Sequence, residues 1–136
     1  MGDRALSVAI RQTAPVPLDV TFTCGPGDVL GIYGPSGSGK TTILRTIAGL
    51  HRHGSGVVAA GRDVWMDTTA GRWRPAHERH VGFVFQEYAL FPHLTALGNV
   101  RTALGHRPAH ERHEQAQQLL AAVQLADKAD RRPAEL

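Results

Sequence analysis

"GPSGSGKTT", Gly34 to Thr42, is the stretch that decides the fold. Gly34 and Gly39 bracket four residues, and Lys40-Thr41 follows at once, so the pattern is Gly-x-x-x-x-Gly-Lys-Thr. Before it stands Val29-Leu30-Gly31-Ile32-Tyr33, a short apolar run that reads as a buried strand. After it, Thr41 to Ala48 reads as a helix with Ile43, Leu44 and Ile47 on one face and Gly49 as its stop. Strand, glycine-rich loop and helix in this order predict an α/β fold with a P-loop.

Each residue type in the loop has its own physical reason. Glycine at 34, 37 and 39 permits backbone conformations that cost other residues roughly 1–2 kcal/mol, and it leaves no Cβ in the way of a ligand. Successive backbone N–H groups can then turn inward as an anion-binding nest. A helix starting near Lys40 points its positive end at the same place. Lys40 can bridge the β- and γ-phosphates of a nucleotide, and the Thr41 hydroxyl can complete the shell of a Mg²⁺ ion. Pro35, Ser36, Ser38 and Thr42 complete the expected nucleotide-binding stretch. The chain has 13 Arg and only 2 Lys, yet one Lys fills the slot that needs a compact point charge. A flexible Gly/Ser linker would gain nothing from Lys-Thr-Thr or from apolar flanks.

Around this centre the pattern is readable in pieces. Leu18, Val20, Phe22 and Cys24 alternate with Asp19, Thr21 and Thr23, the period of a half-buried strand. Residues 53–69, with Gly54, Gly56 and Gly61 among Val57-Val58 and Val64-Trp65, predict a small antiparallel meander. Residues 70–80 are polar and loop-like. Val81 to Phe85 reads as a second buried strand ending at Gln86, where an amide can hold a water or a metal-bound oxygen at a strand's carboxyl end. Ala109 to about Leu125 turns helical, with Leu119, Leu120, Val123 and Leu125 among Gln and Ala.

Composition excludes several classes. At 136 residues, 42% hydrophobic and 20% charged, the chain suits one small globular domain. No apolar run approaches the ~18 residues of a membrane span. The N-terminal MGDRALSVAI lacks the apolar h-region of a secretory signal, and a lone cysteine, Cys24, fits a reducing cytosol. Net charge is +3, with basic residues mixed among 12 acidic ones. The tightest basic cluster is Arg72, Arg74, His77, Arg79 and His80. It reads as a solvated or partner-facing loop and not as a nucleic-acid surface, because Trp73 is its only stacking ring. "RPAHERH" occurs at 74–80 and again at 107–113, but nothing outside the seven residues repeats. It reads as coincidence or local gene history. Its His-Glu-x-His is not the His-Glu-x-x-His of zinc proteases, and His110 and His113 lack a third ligand.

Taken together, "GPSGSGKTTILRTIAGL" (34–50), the glycine-containing meander and "VGFVFQEYALFPHLTALGNV" (81–100) resemble the ATP-binding subunits of ABC transporters, from about Leu18 to the end. The resemblance implies a P-loop NTPase core with a small antiparallel β subdomain, followed by the start of an α-helical subdomain. It divides the chain into 1–86 and 87–136. It implies ATP and Mg²⁺ as ligands, and it matches Gln86 to the catalytic Q-loop glutamine, a Mg²⁺ contact alongside Thr41. The loop "EYALFPHLT" (87–95) is similar to the segment of bacterial importers that meets the membrane-spanning permease. Tyr88, Leu90, Phe91 and Pro92 would then pack on a coupling helix, the alternative being a satellite core under the loop. A second nucleotide-binding subunit, no nucleic acid, and a peripheral place on the cytoplasmic face of the inner membrane are also implied. Residues 61–86 are most similar to molybdate-type importers.

The chain departs from the family in two places. Residues 7–17 contain no aromatic side chain, where many members stack adenine, and Phe22 reads as core. The sequence given stops at "RRPAEL", where the family continues into its signature motif. The Walker B aspartate, the catalytic glutamate after it and the switch histidine have no match. The expectation is an N-terminal part of an ABC ATPase domain that binds ATP without hydrolysing it alone, with central strands supplied by the missing part. Two alternatives stay open. One is a different P-loop enzyme such as a small kinase, whose length fits but which leaves 81–100 unexplained. The other is an inactive nucleotide-binding fragment.

Overall fold

The computed structural model describes residues 5–52 and 54–136. Residues 1–4, part of the segment read for a secretory signal, and His53, first residue of the expected meander, lie outside the described residues. The chain forms two compact units, Met1–Phe83 and Val84–Leu136.

The first unit is built on a five-stranded antiparallel sheet in the order β2-β1-β3-β4-β5. Its strands are β1 (Leu6–Gln12), β2 (Leu18–Cys24), β3 (Ser55–Ala60), β4 (Asp63–Asp67) and β5 (Arg72–Trp73). Strand β2 and the β3–β4 meander form where the sequence predicts them. Strand β1 pairs with both β2 and β3, and the sequence reading had not assigned it. Its signal was present, since Leu6, Val8 and Ile10 alternate with Ser7, Ala9 and Arg11. The register aligns Phe22, Val8, Val58, Met66 and Trp73 in one row across all five strands. Val8, Val58 and Met66 in that row are fully buried. Each such side chain contributes about 1.5–3 kcal/mol on removal from water.

A register shift between Val58 and Ala59 leaves Trp65 as an extra residue in β4. The bulge breaks the alternation, so neighbouring Trp65 and Met66 are both buried. One helix, α1 (Lys40–Ile47), lays Ile43 and Ile47 into the same core beside Val8, Ile10 and Leu18. Leu44, expected on that face, is exposed instead, because it lies one step round the helix from Ile43.

Two expected strands do not form. Among the described residues neither Val29 to Tyr33 nor Val81 to Phe85 is a strand of the sheet. Val29 is 98% exposed, Tyr33 101% and Val84 89%. Only Ile32 of the first run packs against the core. An all-apolar run specifies burial on both faces, but a strand exists only with neighbours to receive its N–H and C=O groups. The loop expected over 70–80 is also more ordered than its polarity suggests. It contains β5 and a 3₁₀ turn at Ala76–Glu78.

The second unit holds α2 (Ala96–Ala103) and α3 (Arg112–Ala122), which pack together. Helix α2 was not anticipated. The Thr95 hydroxyl caps it, accepting from the Gly98 amide at 3.1 Å. The Ala96 and Leu97 amides donate to the Arg131 and Ala129 carbonyls at 2.7 and 2.9 Å. Helix α3 is shorter than the expected 109–125. It buries Ala116 and Leu120 and leaves Leu119 and Val123 exposed. Among the described residues no helix is long and apolar enough to cross a membrane.

Candidate functional site

The loop from Gly34 to Gly39 runs into α1 through left-handed turns at Gly37 (φ 77°) and Gly39 (φ 89°). Gly39 is buried, and a Cβ on it would overlap the Leu18 side chain at the start of β2. Glycine is therefore required there for conformation and for space alike. The close approach of Leu18 ties the loop to the sheet.

Lys40 turns inward over the loop. Its Nζ donates to the carbonyls of Gly34 (2.8 Å) and Pro35 (2.6 Å) and approaches Ser38 Oγ at 3.4 Å. The Ser38 amide donates to the Pro35 carbonyl at 3.3 Å. Helix α1 has no side-chain cap and no acid in its first turn. Among the described residues, the amides of Gly39, Lys40, Thr41 and Thr42 have no acceptor. Four free donors, the positive end of a helix dipole and an ammonium group thus adjoin one glycine-rich loop. Chemically this is a receptor for a multiply charged anion. The Thr41 side chain is exposed, leaving its hydroxyl open to a cation. The residues fit the phosphate of a nucleotide, and Thr41 fits one Mg²⁺ contact. Gly34, Pro35, Ser36, Gly37, Ser38, Gly39, Lys40, Thr41 and Thr42 are contiguous in one loop and one helical turn.

The other end of α1 holds the residue that sequence reasoning misread. Arg79, assigned above to a solvated or partner-facing loop, is only 4% exposed. Its Nη1 donates to the Thr46 and Ile47 carbonyls at 2.8 and 2.7 Å, its Nε to the Arg74 carbonyl at 2.8 Å and its Nη2 to the Trp65 carbonyl at 3.3 Å. Arg74 pairs with Asp63 and is likewise not free in solvent. Burial lowers the Arg79 pKa, and the neighbouring Arg74 charge lowers it further. A guanidinium nevertheless stays charged at neutral pH.

Gln86 lies in the second unit, exposed, in a turn spanning residues 86–89. Tyr88 (φ 58°) and Ala89 (φ 47°) adopt left-handed conformations that are costly for side-chain-bearing residues. Tyr88, Leu90, Phe91 and Pro92 are all exposed, so they form no satellite core. Asn99 on α2 anchors the loop. The Phe91 amide donates to Asn99 Oδ1 at 2.8 Å, and Nδ2 donates to the carbonyls of Phe91, Leu94 and Thr95 at 3.1, 3.3 and 3.0 Å. Asn99 was also missed, although an amide one turn into a helix after a Thr cap is a readable signal.

Residues 18–136 match the ABC transporter family. The molybdenum import ATP-binding protein ModC of Methylococcus capsulatus is 43% identical over 113 residues, 82% of this chain and 31% of that protein. The sulfate/thiosulfate import ATP-binding protein CysA 1 of Rhizobium meliloti is 43% identical over 128 residues, 90% of this chain and 35% of that protein. The Fe(3+) ions import ATP-binding protein FbpC of Agrobacterium fabrum is 46% identical over 122 residues, 87% of this chain and 32% of that protein. The chain spans about a third of the length of the curated relatives it matches. The glycine-rich loop closed by Lys40, the uncapped helix behind it and a match over residues 18–136 agree, and this chain belongs to the ABC transporter family.

Proposed function

We propose that this chain is the nucleotide-binding part of a bacterial importer ATPase, holding Mg-ATP at Gly34–Thr42. The observation that carries this reading is the set of free amides at the start of α1, with Lys40 already gathered over the loop. Lys40 now satisfies loop carbonyls, and an arriving triphosphate would exchange those bonds for charge-assisted ones to phosphate oxygen. Thr41 would contribute its hydroxyl to Mg²⁺, and Gln86 would complete that shell and sense the nucleotide. For function we divide the chain after Gln86, into a nucleotide-binding part (1–86) and the beginning of a helical part (87–136).

Loop 87–95 would meet a membrane-spanning permease, which fits its exposed Tyr88, Leu90, Phe91 and Pro92. A second nucleotide-binding subunit would close over the loop, and the work would be done at the cytoplasmic face of the membrane. No carboxylate is hydrogen-bonded to the loop among the described residues. In keeping with the resemblance, we place the general base for turnover elsewhere, so that these 136 residues would bind ATP without splitting it. The cargo we assign is molybdate or another oxyanion, in keeping with residues 61–86 and with the molybdenum and sulfate relatives.

Calorimetric titration with Mg-ATP tests the reading. Wild type should bind, and Lys40→Ala should lose most of the affinity. Equal binding by both would defeat the assignment.

A further inference from the structure

Among the described residues Arg79 is the single buried charged side chain, and no carboxylate pairs with it. A buried charge is costly unless hydrogen bonds and dipoles compensate it. Four carbonyls do so, two of them at the carboxyl end of α1, where the helix dipole is negative. The guanidinium also lies 4.7 Å from the Trp73 ring centre and 5.8 Å from that of Trp65. The slot is built for it. Gly49 has φ 78°, and a Cβ on it would fall 2.8 Å from Arg79 Nε and 2.9 Å from the Ala76 amide. The β4 bulge is what brings Trp65 to the same side as Met66.

The repeated heptapeptide separates what is local from what is particular. In both copies the fifth amide donates to the second carbonyl at 3.1 Å, Glu78 to Pro75 and Glu111 to Pro108. In both, the sixth residue's Nε donates to the first carbonyl at 2.8 Å, Arg79 to Arg74 and Arg112 to Arg107. The same turn and the same Arg-to-carbonyl contact therefore form twice, after which the copies diverge, Arg79 continuing as extended chain (φ −93°, ψ 130°) and Arg112 opening α3. Arg112 goes no further than the Gly105 carbonyl in an exposed setting. Only Arg79 reaches across to the phosphate-loop helix.

We propose that Arg79 is a positioning residue for phosphate binding, pinning the carboxyl end of α1 so that its amide end is held over the loop. The inference rests on the nucleotide reading above. Helix α1 has eight residues and no side-chain cap. Helices shorter than ~12 residues are marginal alone, so external anchors fix where its first-turn amides lie. Those anchors are the packing of Ile43 and Ile47 and the grip of Arg79 on the final carbonyls.

The test is Mg-ATP calorimetry on the full chain for wild type, Arg79→Met, Arg79→Lys and Trp73→Leu, well below each thermal midpoint, with circular dichroism to confirm folding. Arg79→Met should bind about five- to tenfold more weakly, at the low end of coupling between linked sites. Arg79→Lys should fall between it and wild type, since an ammonium keeps the charge but not the fork. Trp73→Leu should weaken binding less, in the same direction. Tryptophan emission should shift in both Arg79 variants, because Trp65 and Trp73 are the only tryptophans. A lowered thermal midpoint with affinity unchanged would make Arg79 merely structural and overturn the proposal. Should Arg79→Met not fold, Arg79→Lys and Trp73→Leu decide by the same criterion. Wild type that fails to bind Mg-ATP would instead bring down the nucleotide reading, and this inference with it.

Discussion

Replacing Gly39 by alanine should separate two costs that the loop geometry imposes. The first is conformational, because φ is 89° at this position. An alanine held there costs about 1–2 kcal/mol. The second is steric, because the new Cβ overlaps Leu18 Cδ2 and lies 3.1 Å from its Cγ and 3.3 Å from its Cδ1. Leu18 is part of the core with Ile10 and Ile43, so it cannot simply withdraw. Overpacking of this kind costs about 1–3 kcal/mol. Gly39→Ala should therefore destabilise the chain by about 2–5 kcal/mol in urea unfolding followed by far-ultraviolet circular dichroism. The double-mutant cycle with Leu18→Ala isolates the steric part. In that background only the conformational cost of about 1–2 kcal/mol should remain, so the pair should be more stable than the sum of the single changes predicts. An identical cost in both backgrounds, or a Gly39→Ala effect below about 0.5 kcal/mol, would refute the claim that Leu18 walls the loop.

The second unit yields two further expectations. Asn99→Ala removes the acceptor of the Phe91 amide and the donor to three carbonyls, so hydrogen exchange at Phe91 should quicken about tenfold, as loss of one local hydrogen-bonded contact implies. Exchange at the wild-type rate would show that something else holds the loop. Thr95→Ala deletes the cap on the Gly98 amide and should cost about 1 kcal/mol of stability, with Thr95→Ser restoring most of it. Equal denaturation midpoints for Thr95→Ala and wild type would exclude the capping role.

What the sequence made legible was whatever depends on neighbours in the chain. The glycine-rich loop, α1, the alternation of β2 and the glycine-punctuated meander all rest on local periodicity or on turn residues. So did β1, whose period of two was readable. Val29–Tyr33 and Val81–Phe85 were misread because strand formation is a property of pairs, and apolar content states only what a segment would bury. Arg79 was illegible for a related reason. Its carbonyl partners on α1 lie 32 and 33 residues away, and its polar neighbourhood in sequence suggests a solvated loop. The heptapeptide repeat makes the point within one molecule, since one local turn leads Arg79 into the core and Arg112 to the surface. In the candidate site, the loop glycines and Lys40 were legible from spacing alone. Gln86 and the exposed residues after it drew their meaning from the family.

The central claim is that the amides of Gly37 and of Gly39 to Thr42, with the Lys40 ammonium, form a receptor for phosphate. Titration of isotopically labelled protein with Mg-ATP, and separately with inorganic pyrophosphate, tests it residue by residue through amide chemical shifts. The largest changes should fall on Gly37, Gly39, Lys40, Thr41 and Thr42 with either ligand. Shifts centred on another part of the chain, with those five amides unmoved at saturation, would contradict it.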